Sequence, residues 1–361
     1  ITLVAIAALA SVSAFAQSSV TLYGQFDAGV YSLSDVKATT LKSGTVFGDG
    51  ATFSNILGFK GLEDIGGGLK AGFDFQTDVQ TNNGGMNNSG LFRRQANGSI
   101  AGNFGEVKLG VTTNPIIATN GLLMPVSGNS VSTATSTALG YADFYTKNAV
   151  TYTTPSFMGL VGQVQRGMSN NLDSESAGSV TAWSLNYTNG PLAIRAAGQD
   201  RKEGGVASSS NAALAANTVI TNVAGFNKKG SILGVSYTIG QWNIAAASLK
   251  TNNATALGGA RTERTGSQYG VGYTTGAWTL GGSITKAEGS KLTNMQARYA
   301  LSKRTNLIGT YGIADNGSAG LVNFAPLAFN TGSAPAAIVT DYAGATSTKT
   351  TGFGVGLTHS F

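Results

Sequence analysis

After its first sixteen positions, the chain alternates apolar and polar residues with a period of two over most of its length. Residues 20–27, VTLYGQFD, place Val, Leu and Phe on one face of an extended segment and Thr, Tyr, Gln and Asp on the other. Residues 69–76, LKAGFDFQ, repeat the pattern with Leu and Phe opposite Lys, Asp and Gln. Sustained helical stripes are missing because Gly and β-branched residues interrupt nearly every window. The pattern therefore predicts β-strands rather than helices.

Sixteen segments carry this alternation, and most last about nine to twelve residues, the length of a tilted strand that crosses a bilayer. The predicted strands are residues 20–31, 54–63, 69–80, 91–100, 105–113, 149–156, 160–168, 179–189, 191–200, 230–238, 242–251, 266–275, 278–288, 291–301, 305–315 and 349–361. Short connections between them alternate with long ones at 32–53, 114–148, 201–229 and 316–348. Transmembrane barrels separate short turns from long loops in this way.

A strand with one apolar face and no core to cover it has to bury that face in lipid. Every backbone group in lipid needs a hydrogen-bond partner, so the sheet has to close on itself. The sequence therefore predicts an all-β fold, a 16-stranded antiparallel transmembrane β-barrel over residues 17–361, with short periplasmic turns and long extracellular loops.

Composition agrees with a membrane barrel and narrows the possible partners. Only 11% of the residues are charged, against about 25% in soluble proteins. The 23 basic and 17 acidic residues leave a net charge of +6. The bases are dispersed and form no run with interleaved aromatics, so no nucleic-acid partner is expected. A mild positive excess favours the attraction of small anions instead.

Residues 1–16, ITLVAIAALASVSAFA, form an apolar segment that ends in Ala-Phe-Ala. This pattern predicts a signal peptide cleaved before Gln17. The positively charged start of such a peptide is missing, so we expect the natural chain to extend further. The alternative, a transmembrane anchor, would need about 20 apolar residues.

Signatures of catalysis are missing from the sequence. The chain has no cysteine, and its one histidine, His359, lies in the last predicted strand. A His-dependent triad or a multi-His metal site would have to be built from that residue alone. We therefore expect no enzyme activity, no metal and no cofactor.

Several stretches resemble the trimeric general porins of Gram-negative bacteria, in particular their β-proteobacterial branch. They are SVTLYG at 19–24, LGFKGLED at 57–64, GGGLKA at 66–71, RQA at 94–96, NAVTY at 148–152 with Pro155, and VGLTHSF at 355–361. The resemblance implies a homotrimer in the cell outer membrane that lets small hydrophilic solutes and ions diffuse passively. Its outer partners would be membrane lipids and lipopolysaccharide. It also implies that residues 114–146 fold inward to narrow the pore, and that the barrel-assembly machinery recognises Phe361.

The resemblance further places basic residues on the lumen wall, opposite acidic residues on the inward loop. Arg94 stands where one wall arginine is expected, whereas Ile56 occupies the position of a second. Thr151 and Thr153 stand near a third, and Asp143 is the only acid of the loop. The electric field across the lumen is therefore expected to be weaker than in the family, and we expect only a weak anion preference.

Further charged residues fall on the presumed inward phase of the strands. The bases are Lys60, Lys108, Lys147, Arg195 and Arg298, and the acids are Asp27, Asp74 and Asp78. They leave a modest positive bias in the lumen. For each single residue, a solvated wall charge is at least as good an interpretation as a role in selectivity.

Two other functions remain open from the sequence. An outer-membrane enzyme or adhesin could be built on the same barrel, although the single histidine and the small polar loop residues disfavour both. A substrate-specific channel would show a file of aromatic residues along the inward loop. Tyr141, Phe144 and Tyr145 are too few to decide.

Overall fold

The computed structural model of the chain describes residues 19–34, 43–49, 54–86, 90–126, 144–170, 178–202, 228–254, 261–287, 290–315 and 349–361. The expected signal peptide, residues 1–16, lies outside these ranges. So do Asp143 and the central part of the expected inward loop, residues 127–143.

The described chain forms seventeen strands and one short helix. The strands are β1 (Ser19–Ser34), β2 (Ser43–Asp49), β3 (Ile56–Gly66), β4 (Leu69–Asp78), β5 (Gln95–Gly102), β6 (Gly105–Thr113), β7 (Tyr145–Thr153), β8 (Leu160–Gly167), β9 (Val180–Asn189), β10 (Leu192–Arg201), β11 (Lys228–Ile239), β12 (Trp242–Ala254), β13 (Arg261–Thr275), β14 (Trp278–Ala287), β15 (Ser290–Ala300), β16 (Thr305–Asp315) and β17 (Lys349–Ser360). The helix, α1, spans Pro115–Gly121. The described residues include no helix that is both long and apolar enough to cross a membrane.

The strands close into a barrel with sixteen positions, because β2 and β3 share one of them. Along one edge of β1, residues 19–25 pair with β3 and residues 28–34 pair with β2. Along its other edge, β1 pairs with β17 from Gln25 to Ser34. Each remaining strand pairs antiparallel with its neighbours in the chain, from β3 round to β17. The predicted closed 16-stranded antiparallel fold is therefore confirmed.

The predicted strand bounds hold for most elements but fail at four places. The predicted strand 266–275 begins five residues earlier, at Arg261. The predicted connection 32–53 contains β2, because residues 43–49 pair with the part of β1 that β3 does not reach. The predicted strand 91–100 begins only at Gln95, and residues 91–94 form turns instead. The predicted connection 114–148 includes α1 and the start of β7 at Tyr145.

The helix α1 begins where the sequence provides a cap. Asn114 is its N-cap, with Oδ1 accepting from the backbone N–H of Ile116 at 3.1 Å, and Pro115 follows in the first turn. A proline suits this position because its missing N–H would have no helical partner there. Asn114 is therefore the single residue between the end of β6 at Thr113 and the start of the helix at Pro115.

The outer face of the barrel is apolar and exposed. Leu233 and Met295, which lie in the middle of their strands, are 59% and 56% exposed. Near the short turns, aromatic rings form tilted cross-strand pairs: the ring centroids of Trp242 and Tyr273 lie 4.6 Å apart, and those of Trp278 and Tyr299 lie 4.8 Å apart. Membrane barrels carry such an apolar band edged by aromatic girdles, because amphipathic rings suit the lipid–water boundary.

Candidate functional site

The inner face of the barrel is identified by the chain segment that lies against it. Residues 114–126, here called the inner segment, continue from β6 and contact the walls of β10 to β14. A Cβ built on Gly234 would lie 2.6 Å from Leu123 Cδ1, and one on Gly270 would lie 2.7 Å from Pro125 Cδ. One on Gly281 would lie 2.3 Å from Cγ2 of Val126. These glycines therefore let the inner segment approach the sheet closely.

Apolar packing fixes the inner segment to the wall. Ile116 and Leu123 are fully buried and form one cluster with small and branched wall residues, mainly Ala197, Ile232 and Leu249. Wall positions of this kind would otherwise face water. The segment therefore covers an apolar strip of the lumen wall and buries its own two anchors in doing so.

Hydrogen bonds between buried amides support the same contact. Asn114 Nδ2 donates to Oε1 of Gln199 at 2.8 Å and to Oγ1 of Thr146 at 3.3 Å. Gln268 Nε2 donates to the backbone O of Leu123 at 3.4 Å. Asn114 thus joins β10 to the start of β7, where the chain returns to the wall. Buried polar groups with partners hold a segment in one position, since losing the partner is costly.

Two arginines share one carboxylate where the chain enters β5. Arg94 Nη1 donates to Oδ1 of Asp78 at 2.9 Å and Nε to Oε1 of Gln76 at 2.8 Å. Arg93 Nε forms an ion pair with Oδ2 of Asp78. Both guanidinium groups also lie over the ring of Tyr145, with Cζ 5.7 Å and 5.3 Å from its centroid. This arginine pair therefore carries one positive charge in excess of its carboxylate.

A hydrogen-bonded network extends from the arginine pair down the wall. Gln76 Nε2 donates to Tyr23 Oη at 3.1 Å, and Tyr23 Oη donates to Oδ1 of Asp74 at 2.5 Å. Lys60 Nζ lies 5.0 Å from the centroid of the Tyr23 ring. Lys60 and Asp74 also face each other in the register of β3 and β4. Charges of both signs are thus held at defined positions on the wall formed by β1, β3 and β4.

The neighbouring part of the wall, which carries Thr151, Thr153 and Ile56, is uncharged. The sequence suggested this, because these residues stand at or near positions where arginines were expected. Thr151 is buried, and its Oγ1 lies 3.2 Å from Oγ1 of Thr112. Gln165 Nε2 donates to both hydroxyl oxygens, at 3.1 Å to Thr151 and at 2.7 Å to Thr112. Thr153 Oγ1 accepts from Gln163 Nε2 at 3.0 Å. Ile56 stands opposite Gln25 and Asp78 in register, on the same inner face. These positions offer hydroxyl and amide groups but no charge.

Three of the expected lumen bases lie on the inner face near the short turns. Lys108 forms an ion pair with Glu106 at 3.3 Å near the start of β6. Arg195 lies close to the turn before β10, and Arg298 close to the turn after β15. Arg195 Nη1 donates to Oδ1 of Asn186 at 3.5 Å, and Arg298 Nη2 donates to Oε1 of Gln296 on the same strand at 3.3 Å. Arg195 stands directly opposite Gly234, on which Leu123 packs, so it lies beside the inner segment.

The remaining expected site residues fall elsewhere. Lys147 is exposed and lies in the irregular register between Thr146 and Ala149, where strand alternation does not decide its direction. Phe361 ends the chain on the outer face, beside the ring of His359 at 6.5 Å between centroids. Its backbone N–H and C=O both pair with Gly24 at 3.1 Å.

Bases outnumber acids on the inner face of the described strands. Besides the arginine pair, the bases are Lys60, Lys70, Lys108, Arg195, Arg201, Arg264 and Arg298, and the acids are Asp27, Asp64, Asp74, Asp78 and Glu106. The described inner wall is therefore polar and weakly positive.

Sequence reasoning missed Arg93 and the two apolar anchors of the inner segment, and it considered Tyr145 only as one of the aromatic residues of the inward loop. Arg93 has the same parity as Gln95 and Asn97, whose side chains face inward. Strand alternation could therefore have identified Arg93 as a residue of the lumen wall alongside its neighbour Arg94. No local signal marks Ile116 and Leu123, because their partners lie on strands more than seventy residues away along the chain.

Comparison with known proteins agrees with this architecture. The profile of a family described as Gram-negative porin matches residues 2–319. The chain belongs to the Gram-negative porin family. Outer membrane porin protein 32 of Delftia acidovorans is 32% identical over 216 residues, which cover 53% of this chain and 56% of that protein. Major outer membrane protein P.IB of Neisseria lactamica is 27% identical over 320 residues, 86% of this chain and 92% of that protein.

Solved porin structures share the fold. An anion-selective porin from Comamonas acidovorans superposes with a TM-score of 0.74 at 21% identity, covering 96% of this chain and 100% of that one. The trimer form of OmpT from Vibrio cholerae gives 0.65 at 14% identity, covering 95% and 99%. At these identities the likeness concerns the fold alone.

Proposed function

We propose that this porin is a passive diffusion channel of the outer membrane for small hydrophilic solutes, with a weak preference for anions. The observation that carries the proposal is the arginine pair, two guanidinium groups around the single carboxylate of Asp78 on the inner wall. Arginine stays charged at every physiological pH, so this excess is permanent. Anion selectivity is also the property named for the Comamonas porin of the same fold.

Steric sieving is the second part of the proposed mechanism. The inner segment is anchored across β10 to β14, and the chain returns to the wall at Tyr145, beside the arginine pair. These two anchorages support the proposal that residues 114–146 narrow the lumen as a constriction loop. Solutes would then pass between the inner segment and the wall that carries the arginine pair.

We assign this porin no catalytic step, metal or cofactor. Its one histidine, His359, lies on the outer face near the short turns, with Nδ1 2.9 Å from Oγ1 of Thr305. That position is remote from the charged groups of the lumen. A diffusion channel needs no covalent chemistry.

The proposed partners follow from the two faces of the barrel. Small solutes and anions enter the lumen, whereas membrane lipids and lipopolysaccharide contact the exposed apolar band. We propose a homotrimer, as OmpT has a trimer form. We also propose that Phe361 is read by the barrel-assembly machinery, and that residues 1–16 are removed as a signal peptide.

Single-channel recording in a planar bilayer tests the function. Openings in groups of three, with a reversal potential under a KCl gradient that favours Cl⁻, are the expected result. The Cl⁻ preference should decline between about 0.1 M and 1 M salt, because the Debye length falls from about 10 Å to about 3 Å. Folded protein that gives no conductance, or one that prefers K⁺, would contradict the proposal.

A further inference from the structure

The side chain of Tyr23 crosses a neighbouring strand on the inner wall. Tyr23 of β1 stands directly opposite Gly58 of β3, which stands directly opposite Gln76 of β4. A Cβ built on Gly58 would lie 2.5 Å from Cζ and 2.7 Å from Oη of Tyr23. The ring therefore lies over Gly58 and carries its hydroxyl to β4. Neighbouring strands lie about 4.8 Å apart, so the phenol crosses β3 only because residue 58 has no side chain.

On β4 the Tyr23 hydroxyl contacts two side chains that share the inner face. Its Oη donates to Oδ1 of Asp74 at 2.5 Å and accepts from Nε2 of Gln76 at 3.1 Å. Oε1 of Gln76 in turn accepts from Nε of Arg94 at 2.8 Å. These four side chains form one chain of hydrogen bonds that ends on the arginine pair, and we call it the tyrosine chain.

The direction of every hydrogen bond in the tyrosine chain is fixed by its two ends. An ionised carboxylate only accepts hydrogen bonds, and a guanidinium only donates them. The hydroxyl of Tyr23 therefore gives its proton to Asp74, which leaves its lone pairs for the amide of Gln76. Because that amide presents Nε2 to Tyr23, its Oε1 is turned toward Arg94.

Asp74 accepts from the phenol although a lysine stands directly opposite. Lys60 and Asp74 face each other in the register of β3 and β4, yet Lys60 Nζ lies over the Tyr23 ring, 5.0 Å from its centroid. Within the part of the chain that the structure describes, no ion pair joins Lys60 to Asp74. Tyr23 therefore lies between the two charges and takes the carboxylate for the tyrosine chain.

Arg94 is held at two atoms by two different acceptors. Its Nη1 donates to Oδ1 of Asp78 at 2.9 Å, and its Nε donates to Gln76. Asp78 also accepts Arg93. A guanidinium that is held at two points keeps one orientation, so its remaining N–H groups are already in place when an anion arrives.

We propose that Tyr23 is a positioning residue for anion selectivity: through Gln76 it fixes the orientation in which Arg94 meets an anion in the lumen. Without the Tyr23 hydroxyl, Gln76 loses the acceptor that sets its amide, and the guanidinium turns about its single contact with Asp78. The anion then has to order the guanidinium itself, which weakens the attraction although the charge of the wall is unchanged. The inference rests on the proposed anion preference and names a residue that sustains it.

Reversal potentials under a KCl gradient test the positioning role. Tyr23→Phe should lower the Cl⁻ to K⁺ permeability ratio about twofold. Gly58→Ala keeps the hydroxyl but displaces the ring, so it should lower the ratio by a similar factor. The matched control is Tyr31→Phe, on the same strand and the same face, where the ring lies against Gly48 and Gly354. It should leave the ratio unchanged, and a wild-type ratio in Tyr23→Phe and Gly58→Ala would overturn the proposal.

The same substitutions in an Arg94→Gln background separate positioning from a general loosening of the wall. With no guanidinium to orient, Tyr23→Phe and Gly58→Ala should have no further effect on the permeability ratio. Equal effects in both backgrounds would mean that Tyr23 acts without Arg94, and would overturn the proposal.

Solvent exchange of the Arg94 Nε–H gives a readout that needs no ion preference. It is followed by NMR in the refolded porin with isotope-labelled arginine. Exchange should be about fivefold faster in Tyr23→Phe and Gly58→Ala than in the wild type and Tyr31→Phe, because one hydrogen bond is lost. Equal exchange in all four proteins would overturn the positioning role.

The two readouts separate this inference from the channel function. A wild type that prefers K⁺, with the exchange differences intact, would contradict the anion preference and keep Tyr23 as the residue that orients Arg94. A wild type that prefers Cl⁻, with equal ratios and equal exchange in the variants, would overturn the positioning role alone.

Discussion

At the scale of single residues, the sign of the lumen is decided by a few charged groups held by their neighbours. Asp78 accepts both Arg93 and Arg94, and both side chains are mostly covered, at 19% and 16% exposure. Their geometry is therefore set by the wall and by the Tyr145 ring rather than by solvent. In a narrow aqueous passage with low-dielectric walls, even one uncompensated charge influences passing ions.

We predict that Arg93→Gln/Arg94→Gln shifts the reversal potential toward K⁺, lowering the Cl⁻ to K⁺ permeability ratio roughly twofold to fivefold. Asp78 then keeps its negative charge without a cation, which also costs about 3 kcal/mol of stability. Recording under a KCl gradient measures the shift. Asp78→Asn should move it toward Cl⁻, and Arg166→Gln on the outer face of β8 should leave it unchanged. An unchanged potential in the arginine variant would remove the pair from the selectivity mechanism.

At the scale of elements, the inner segment is held by shape and apolar contact rather than by charge. Gly234, Gly270 and Gly281 leave the space that Leu123, Pro125 and Val126 fill. The expected opposition between wall arginines and loop acids is not visible in the described part of the loop, which has no acidic residue. Packing against small wall residues is the physical alternative, and it keeps a loop in place without a strong transverse field.

We predict that Leu123→Ser loosens the inner segment and widens the sieve. The change removes a fully buried anchor and leaves a hydroxyl in an apolar contact, which costs about 2–4 kcal/mol locally. Liposome swelling with neutral sugars of increasing size measures the exclusion limit, which should rise. Leu122→Ser is the matched control, because Leu122 is 54% exposed on the same segment. Equal exclusion limits in both variants would contradict an anchoring role for Leu123.

At the scale of the whole molecule, the last residue completes the barrel. Gly24 and Phe361 exchange two backbone hydrogen bonds of 3.1 Å, and these continue the ladder between β1 and β17. The Phe361 ring lies over Gly24, where a Cβ would come within 2.4 Å of Cζ and 2.6 Å of the Ile56 carbonyl oxygen. The close contact between the first and last strands thus requires that residue 24 is a glycine, which has no side chain.

We predict that Gly24→Ala weakens closure and lowers the free energy of unfolding by about 1–3 kcal/mol, because the backbone of β3 cannot yield to the new methyl group. Unfolding of the refolded barrel in urea measures it. Gly309→Ala, in β16, is the control, since a Cβ there meets nothing within 4 Å and should be neutral or slightly stabilising. Equal midpoints for the two variants would refute the steric role of Gly24.

The sequence by itself determined the architecture and the inner and outer faces of nearly every strand. Period-two alternation is a local property of the sequence. Because lipid surrounds the barrel and water fills it, the apolar residues of each strand face outward and the polar residues face inward. The predicted strands 105–113 and 305–315 match β6 and β16 residue for residue. Lys60 and Arg195 are on the inner face, where their phase put them.

Only the tertiary structure decided how side chains from distant strands meet. Phase showed that Asp78 points inward, but not that two arginines from a turn would share it. No local signal paired Leu123 with Gly234, or laid the Tyr23 ring over Gly58. Such contacts depend on register, strand tilt and loop path, which are properties of the closed sheet. Alternation tells which face a residue occupies, whereas its partner is set by the closure of the whole barrel.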